Sequence, residues 1–153
     1  MKIKDYVLAT KVSEAYELAS VIGESAYFLA GGTSTFFVSS RAAKTAIDIN
    51  RLSIKGITKR GDYFRIGAGT TINELMKYQD SGWVLNRVAQ RFVNQQVRNI
   101  STIGGNVSRI FYWCDFPVVL RVLEGNLKLT NSESQVLKIS EVFYNLSTHK
   151  RAF

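Results

Sequence analysis

The chain has 153 residues, 46% of them hydrophobic, with one cysteine, one histidine and a formal net charge of +8. This composition excludes a disordered chain, a disulfide framework and a metal site. No apolar run is long enough for a signal peptide or a membrane span. We therefore expect one cytoplasmic, two-lobed domain without membrane contact. The positive charge indicates a polyanionic partner, which the charge alone leaves open between a nucleic acid, an anionic ligand and an acidic protein surface.

The first predicted lobe, residues 1–51, has a β-α-β pattern. A strand at 6–9 precedes an amphipathic helix at 13–22, with Ser13 as the predicted N-cap and Gly23 as the end of the helix. Strands at 26–30 and 45–49 complete this lobe.

The second predicted lobe, residues 52–153, is larger and mixes helices with strands. Strands at 54–58 and 63–68 flank a turn, and the pattern Thr71-x-x-Glu74 predicts a capping box that opens a helix to about residue 78. The remaining predicted elements are an amphipathic helix at 84–97, a helix at 118–123 after Pro117, a strand pair at 126–130 and 135–138, and a short helix at 139–143.

Glycines recur in three short turns of this sequence: Ala30-Gly31-Gly32-Thr33, Gly67-Ala68-Gly69-Thr70 and Thr102-Ile103-Gly104-Gly105-Asn106. A turn without side chains lets its backbone approach a ligand closely, and its N–H groups can converge on an anion. The alternative of ordinary tight turns stays open at this point, because none of the three matches a P-loop or the G-x-G-x-x-G pattern.

The order of these motifs is similar to a known family. The sequence contains A-G-G-T, then I-G-A-G-T-T-I-N-E-L, then V-R-N-x-x-T-I-G-G-N, followed by Asp115 and Pro117. This set resembles the FAD-binding subunit of the molybdenum hydroxylases, such as xanthine dehydrogenase, aldehyde oxidase and aerobic carbon monoxide dehydrogenase, over residues 4–145. The resemblance implies FAD as the cofactor and an α+β, two-lobed FAD-binding fold of the vanillyl-alcohol-oxidase-like (PCMH) type.

The resemblance also implies a set of FAD-binding residues. The first turn would lie on the FAD diphosphate, the third would approach the flavin, and an aspartate would hold a ribityl or ribose hydroxyl. These residues are Ala30, Gly31, Gly32, Thr33, Ser34 and Thr35, then Thr102, Ile103, Gly104, Gly105 and Asn106, and finally Asp115. We interpret the Gly67–Thr70 turn as structural, Arg98 as a brace for the loop through a carboxylate or carbonyl partner, and Cys114 as inert, with no catalytic residue on this chain.

The function implied by the resemblance is electron transfer. Such a subunit passes electrons from iron–sulfur clusters through FAD to NAD or another acceptor, beside a molybdopterin-binding large subunit and a 2Fe-2S small subunit. The family continues beyond the equivalent of residue 153, so we also expect unclosed sheet edges that pair with another chain or with a second copy. Two alternatives stay open: a vestigial, structural subunit without FAD, favoured by the bulky run at 107–114, and, ranked last, a basic nucleic-acid-binding domain.

Overall fold

The computed structural model of the chain describes residues 3–35, 44–109, 111, 113–129 and 136–138. It divides into two compact units, Met1–Gly105 and Asn106–Phe153. The lobe boundary that we predict between residues 51 and 52 lies inside the first unit.

The first unit begins with a parallel sheet of three strands. The strands are β1 (Asp5–Leu8), β2 (Ala26–Leu29) and β3 (Thr45–Asp48), and α1 (Val12–Ile22) connects the first two. The order is β1-β3-β2, so β3 is central, and Asp48 lies opposite the last residue of both neighbouring strands. The carboxyl ends of all three strands therefore meet at one edge of the sheet, where the first glycine turn begins.

The N-cap prediction for α1 is wrong. The helix begins at Val12 after Lys11, and Ser13 lies within its first turn. The carboxylate of Glu14 accepts hydrogen bonds from the backbone N–H groups of Thr10 (2.8 Å) and Lys11 (3.3 Å), which precede the helix. A side chain inside the helix therefore binds the backbone N–H groups that precede it, so a serine cap is unnecessary. The bonds from Thr10 and Lys11 also lower the pKa of Glu14.

An antiparallel hairpin follows, with β4 (Ile57–Arg60) and β5 (Tyr63–Ile66) joined by a two-residue turn. The strand that we predict at 54–58 thus begins three residues later, because the backbone of 54–56 pairs with a glycine turn instead of continuing the ladder. The next helix, α2 (Ile72–Lys77), confirms the predicted capping box: the N–H of Glu74 donates to Thr71 Oγ1 at 3.2 Å, and the N–H of Thr71 donates to the Glu74 carboxylate at 2.6 Å.

The single helix predicted at 84–97 is wrong, because the structure has two helices, α3 (Leu85–Arg91) and α4 (Gln95–Ile100). Val93 between them has a positive φ of 35°, and the Asn94 side chain caps α4 by accepting a hydrogen bond from Val97 N at 2.9 Å. Hydrophobic periodicity continues across this break, so the pattern alone conceals it.

Helix α5 (Ile103–Arg109) follows, and the second unit then contains α6 (Asp115–Val122) and an antiparallel pair, β6 (Asn126–Lys128) and β7 (Val136–Lys138). Helix α6 starts three residues before the predicted position, with Pro117 buried in its first turn, where proline is tolerated. The helix predicted at 139–143 lies outside the described residues. Among the residues that are described, no helix is both long and apolar enough to cross a membrane.

Candidate functional site

The first glycine turn follows β2 and carries one glycine in the left-handed region. Gly32 has φ 69°, and its carbonyl accepts a hydrogen bond from Thr35 N at 3.1 Å. Among the described residues, a Cβ added at Gly32 would meet only side-chain atoms, at 3.5 and 3.7 Å, so the glycine is needed for its backbone conformation. The turn presents this bare, exposed backbone at the surface.

The central amides of this turn are available for a ligand. In a turn closed by the bond from residue i+3 to residue i, the N–H groups of the two middle residues take no part in the closure. These are the N–H groups of Thr33 and Ser34, which form no hydrogen bond within the described ranges. Backbone amides of this kind can bind an anion.

Gly31, the other glycine of the first turn, has a different role. A Cβ at Gly31 would lie 1.7 Å from the carbonyl oxygen of Ile100, so this glycine permits direct packing of backbone on backbone. The Thr33 hydroxyl also lies 2.9 Å from the hydroxyl of Ser101, which is buried. The first glycine turn therefore contacts the segment that leads into the third.

The third glycine motif is the first turn of α5, and not the loop that the sequence predicts. Thr102 Oγ1 accepts a hydrogen bond from Gly105 N at 3.1 Å, as an N-cap residue does. Gly104 N donates to the carbonyl of Ala68 at 2.8 Å, and a Cβ at Gly104 would lie 2.7 Å from the same oxygen. At Gly105 an added Cβ would lie 3.0 Å from Thr102 Oγ1, and among the described residues outside the backbone of α5 it would meet no other atom within 4 Å.

The middle glycine turn packs against the protein and bonds to the start of α5, in agreement with its interpretation as structural. A Cβ at Gly67 would lie 2.3 Å from the carbonyl oxygen of Ile54. The fully buried Thr70 hydroxyl accepts from Gly56 N at 2.9 Å and donates to the Gly56 carbonyl at 3.1 Å. The carbonyl of Thr70 in turn accepts from Ile103 N at 2.9 Å, which connects this turn to the start of α5.

Arg98 braces the approach to the third motif, as predicted, through carbonyl partners. Its Nη1 donates to the carbonyls of Gln90 (3.3 Å), Phe92 (2.8 Å) and Val93 (3.1 Å), all of which lie at the break between α3 and α4. This guanidinium therefore fixes the backbone before Ser101 and does not extend toward the open glycines.

The predicted site residues divide between the two units. Residues 30–35 and 102–105 belong to the first unit, where the two motifs are joined through Ile100 and Ser101. Asn106 and Asp115 belong to the second unit, so their predicted contacts with FAD stay predictions. The amide oxygen of Asn106 is buried and accepts no hydrogen bond from the described part of the chain, and Asp115 is exposed as the first residue of α6.

Other reactive groups do not form a catalytic constellation within the described residues. Burial raises the pKa of the Cys114 thiol, so this cysteine is protonated at neutral pH and is a poor nucleophile, as its interpretation as inert requires. No group of three or more His, Cys, Asp and Glu side chains in the described ranges could hold a metal ion.

These observations fit a ligand that needs bare backbone and supplies donors and acceptors of its own. Among the described residues, a Cβ at Gly32 or at Gly105 would meet only side-chain atoms beyond its own helix, and the amides of Thr33 and Ser34 are available. A dinucleotide cofactor has phosphates that such amides can bind.

Comparison with known proteins decides the family. Residues 1–151 match the family described as FAD binding domain in molybdopterin dehydrogenase. The chain belongs to this family. FAD is accordingly the family's cofactor, and the resemblance stated from the sequence motifs is confirmed.

Individual relatives agree with this assignment. The carbon monoxide dehydrogenase medium chain of Hydrogenophaga pseudoflava is 33% identical over 132 residues, covering 82% of this chain and 46% of the relative. The 6-hydroxypseudooxynicotine dehydrogenase complex subunit alpha of Paenarthrobacter nicotinovorans is 31% identical over 127 residues, covering 78% of this chain and 43% of the relative. Both relatives are subunits of dehydrogenases, and the chain spans less than half of their length.

Solved structures confirm the α+β fold class. A structure of carbon monoxide dehydrogenase from Hydrogenophaga pseudoflava superimposes with a TM-score of 0.83 at 28% identity, covering 92% of this chain and 51% of the other. The arrangement of glycine turns described above thus occurs on a fold shared with a molybdenum enzyme subunit.

Sequence reasoning missed three contacts that build the site. Ser101 and Ala68 join the glycine motifs to one another, and Asn50 donates a hydrogen bond to the carbonyl of Ala30 at 3.0 Å. A signal for Asn50 was present in the sequence, because polar residues directly after a buried parallel strand lie at the edge where ligands bind in such sheets.

Proposed function

We propose that this chain is the FAD-binding part of a molybdenum-hydroxylase-type oxidoreductase. The observation that carries the proposal is the contact between two glycine motifs about seventy positions apart in the sequence. Gly31 packs on the Ile100 carbonyl and Thr33 lies in hydrogen-bond distance of Ser101, so one exposed turn and the start of α5 form a single surface.

Each motif has its own part in binding FAD. The Ala30–Thr35 turn, with the available amides of Thr33 and Ser34, binds the diphosphate. Thr102–Gly105 brings the backbone at Gly105 against the flavin, while Gly104 is bare because Ala68 packs there. Asn106 and Asp115 add hydrogen bonds, as the family resemblance implies.

The residues of this chain bind and orient, and the redox chemistry belongs to the cofactor. FAD, when bound, accepts electrons from a donor and passes them to an acceptor. The protein therefore needs no acid, base or nucleophile of its own, in keeping with the protonated Cys114. We propose the iron–sulfur clusters of a 2Fe-2S small subunit as the electron donor and NAD or another acceptor as the electron acceptor. A molybdopterin-binding large subunit is the third component of the proposed complex.

A flavin titration tests the proposal. We expect the chain to bind FAD more tightly than FMN, and FMN more tightly than riboflavin, because the turn at Thr33 binds phosphate. Gly105→Ala should weaken FAD binding by at least about tenfold, which corresponds to about 1.4 kcal/mol, since its methyl group occupies the open position. The control is Ser20→Ala in α1, which removes one hydrogen bond within that helix and should leave the affinity unchanged.

The results that would contradict the proposal are equally specific. A wild-type chain that leaves FAD free supports the alternative of a structural subunit without flavin. Equal affinity for FAD and riboflavin would contradict the diphosphate role of the first turn.

A further inference from the structure

Asn50 lies two residues after Asp48, at the same edge of the sheet as the first glycine turn. Its amide nitrogen donates to the carbonyl oxygen of Ala30 at 3.0 Å and to Asp48 Oδ1 at 2.9 Å. The amide nitrogen carries two hydrogens, so both bonds form at once. One side chain thereby joins the end of the central strand to the start of the turn.

Asp48 holds Asn50 in this orientation. Only 9% of Asp48 is exposed, and both of its carboxylate oxygens are used: Oδ1 also accepts from Asn50 N at 2.8 Å, and Oδ2 accepts from the Tyr6 hydroxyl at 2.5 Å. Desolvation raises the pKa of Asp48, but the hydrogen bonds from Tyr6 and Asn50 outweigh it, so the net pKa lies below the ordinary value. Because the carboxylate and the Ala30 carbonyl are both acceptors, the Asn50 amide must face them with its nitrogen.

The turn is consequently fixed at both ends. The Asn50 side chain donates to the carbonyl of Ala30, and the Ser101 hydroxyl contacts the hydroxyl of Thr33. Gly32 lies between these two anchors in the left-handed conformation that directs the amides of the turn. Loss of the first anchor would let the Ala30 peptide rotate while the core of the sheet stayed intact.

We propose that Asn50 is a positioning residue for FAD. It acts through the Ala30 carbonyl to set the direction of the diphosphate turn, and the buried Asp48 and the Tyr6 hydroxyl hold it in place. This inference rests on the proposed function, since the turn matters for binding only if the chain takes FAD.

The test compares Asn50→Ala with a matched control, Asn86→Ala. The Asn86 side chain accepts one local hydrogen bond, from Arg87 N at 2.8 Å, so both variants remove an amide of the same size. We would measure the FAD dissociation constant by titration, and the exchange of backbone amide hydrogens at 31–35 without flavin. Asn50→Ala should weaken FAD binding about tenfold, equivalent to about 1.4 kcal/mol, and speed exchange at 31–35, whereas Asn86→Ala should change neither.

Two further variants keep the test decisive. Asn50→Asp preserves the shape, but its carboxylate has no hydrogen to donate to Ala30 and repels the neighbouring Asp48 carboxylate, so it should weaken FAD binding at least as much as Asn50→Ala does. If both fail to fold, Tyr6→Phe removes a single hydroxyl from a residue that is 58% exposed, and should weaken FAD binding about two- to threefold.

Separate outcomes identify which claim fails. If the wild type binds FAD and the Asn50 variants bind it equally well with unchanged exchange, the inference is overturned and the proposed function stands. If the wild type does not bind FAD, the proposed function is overturned together with the FAD role of Asn50.

Discussion

Replacing the two adjacent glycines one at a time separates a packing role from a ligand-facing role. At Gly104 a new methyl group would lie 2.7 Å from the carbonyl oxygen of Ala68 and 2.8 Å from its Cβ. The same carbonyl accepts the Gly104 N–H at 2.8 Å, so relief of the clash would lengthen that hydrogen bond. At Gly105 the methyl group would lie 3.0 Å from the side-chain atom Thr102 Oγ1, and a shift of a few tenths of an ångström relieves this contact while the bond from Gly105 N to Oγ1 is kept.

The magnitudes follow from these contacts. Overpacking costs about 1–3 kcal/mol, and the contact of a Gly104 methyl group with backbone atoms places its cost at about 2–3 kcal/mol. Alanine in place of glycine in a helix offsets about 1 kcal/mol of this cost. We therefore expect Gly104→Ala to lower the free energy of unfolding by about 1–2 kcal/mol, and Gly105→Ala to leave it within about 1 kcal/mol of wild type. In a domain of this size about 1 kcal/mol shifts Tm by about 2–4 °C.

Thermal unfolding followed by circular dichroism, without flavin, measures both variants. Gly104→Ala should unfold roughly 2–8 °C below wild type, and Gly105→Ala within about 4 °C of it. If Gly105→Ala lost as much stability as Gly104→Ala, Gly105 would be bare for packing, and its proposed contact with FAD would lose its structural basis.

Three further predictions concern polar groups that hold the fold around the site. Thr70→Val leaves the N–H and carbonyl of Gly56 without their hydroxyl partner, so the free energy of unfolding in urea should fall by about 1–3 kcal/mol, and an unchanged midpoint would refute this role. Arg98→Lys replaces the guanidinium that reaches three backbone carbonyls, so we expect a loss of about 1–2 kcal/mol in the same assay, and a wild-type midpoint would show that the brace is dispensable. Asp48→Asn should lower the free energy of unfolding at neutral pH, and this difference from wild type should disappear on acidification. Because the pKa of Asp48 is lowered in the folded state, the stability that its carboxylate contributes is complete above the unfolded pKa of about 3.9. This stability is lost as the pH falls through the folded pKa. A stability difference that stayed constant from about pH 7 to about pH 2 would contradict this linkage.

The sequence predicts elements well where local signals decide the structure. The capping box at Thr71 and Glu74 depends on neighbours within one helical turn, and it is confirmed. The alternating and helical periodicities likewise locate the strands of the parallel sheet to within one or two residues.

The sequence predicts less well where distant segments compete for the backbone. The apolar period runs through Val93, but Asn94 and Arg98 stabilise a break there by satisfying the N–H and carbonyl groups at the two helix ends. The strand expected at 54–58 starts late because the N–H groups of Gly67 and Gly69 donate hydrogen bonds to the carbonyls of Gly56 and Ile54. The partners of 54–56 are more than ten residues away in the sequence, so no local pattern reports them, whereas the bonds of Asn94 and Arg98 are local and are hidden by the continuous apolar period.

The candidate site shows the same division. The glycine motifs are visible in the sequence, yet the reason for each glycine is not. Gly31 and Gly104 are bare because protein backbone packs against them, whereas an added Cβ at Gly32 or Gly105 would meet only side-chain atoms of other described residues beyond its own helix. Only the fold distinguishes these two pairs, and only the fold shows that Asn50 holds the Ala30 carbonyl.

The visible absorption spectrum of the purified chain tests the central claim most directly. FAD is added in excess, free flavin is removed by gel filtration, and the protein fraction is recorded. We predict that flavin absorption bands remain with the protein. A colourless protein fraction, with all FAD in the late-eluting fractions, would contradict the claim that these glycine motifs form an FAD site on this chain.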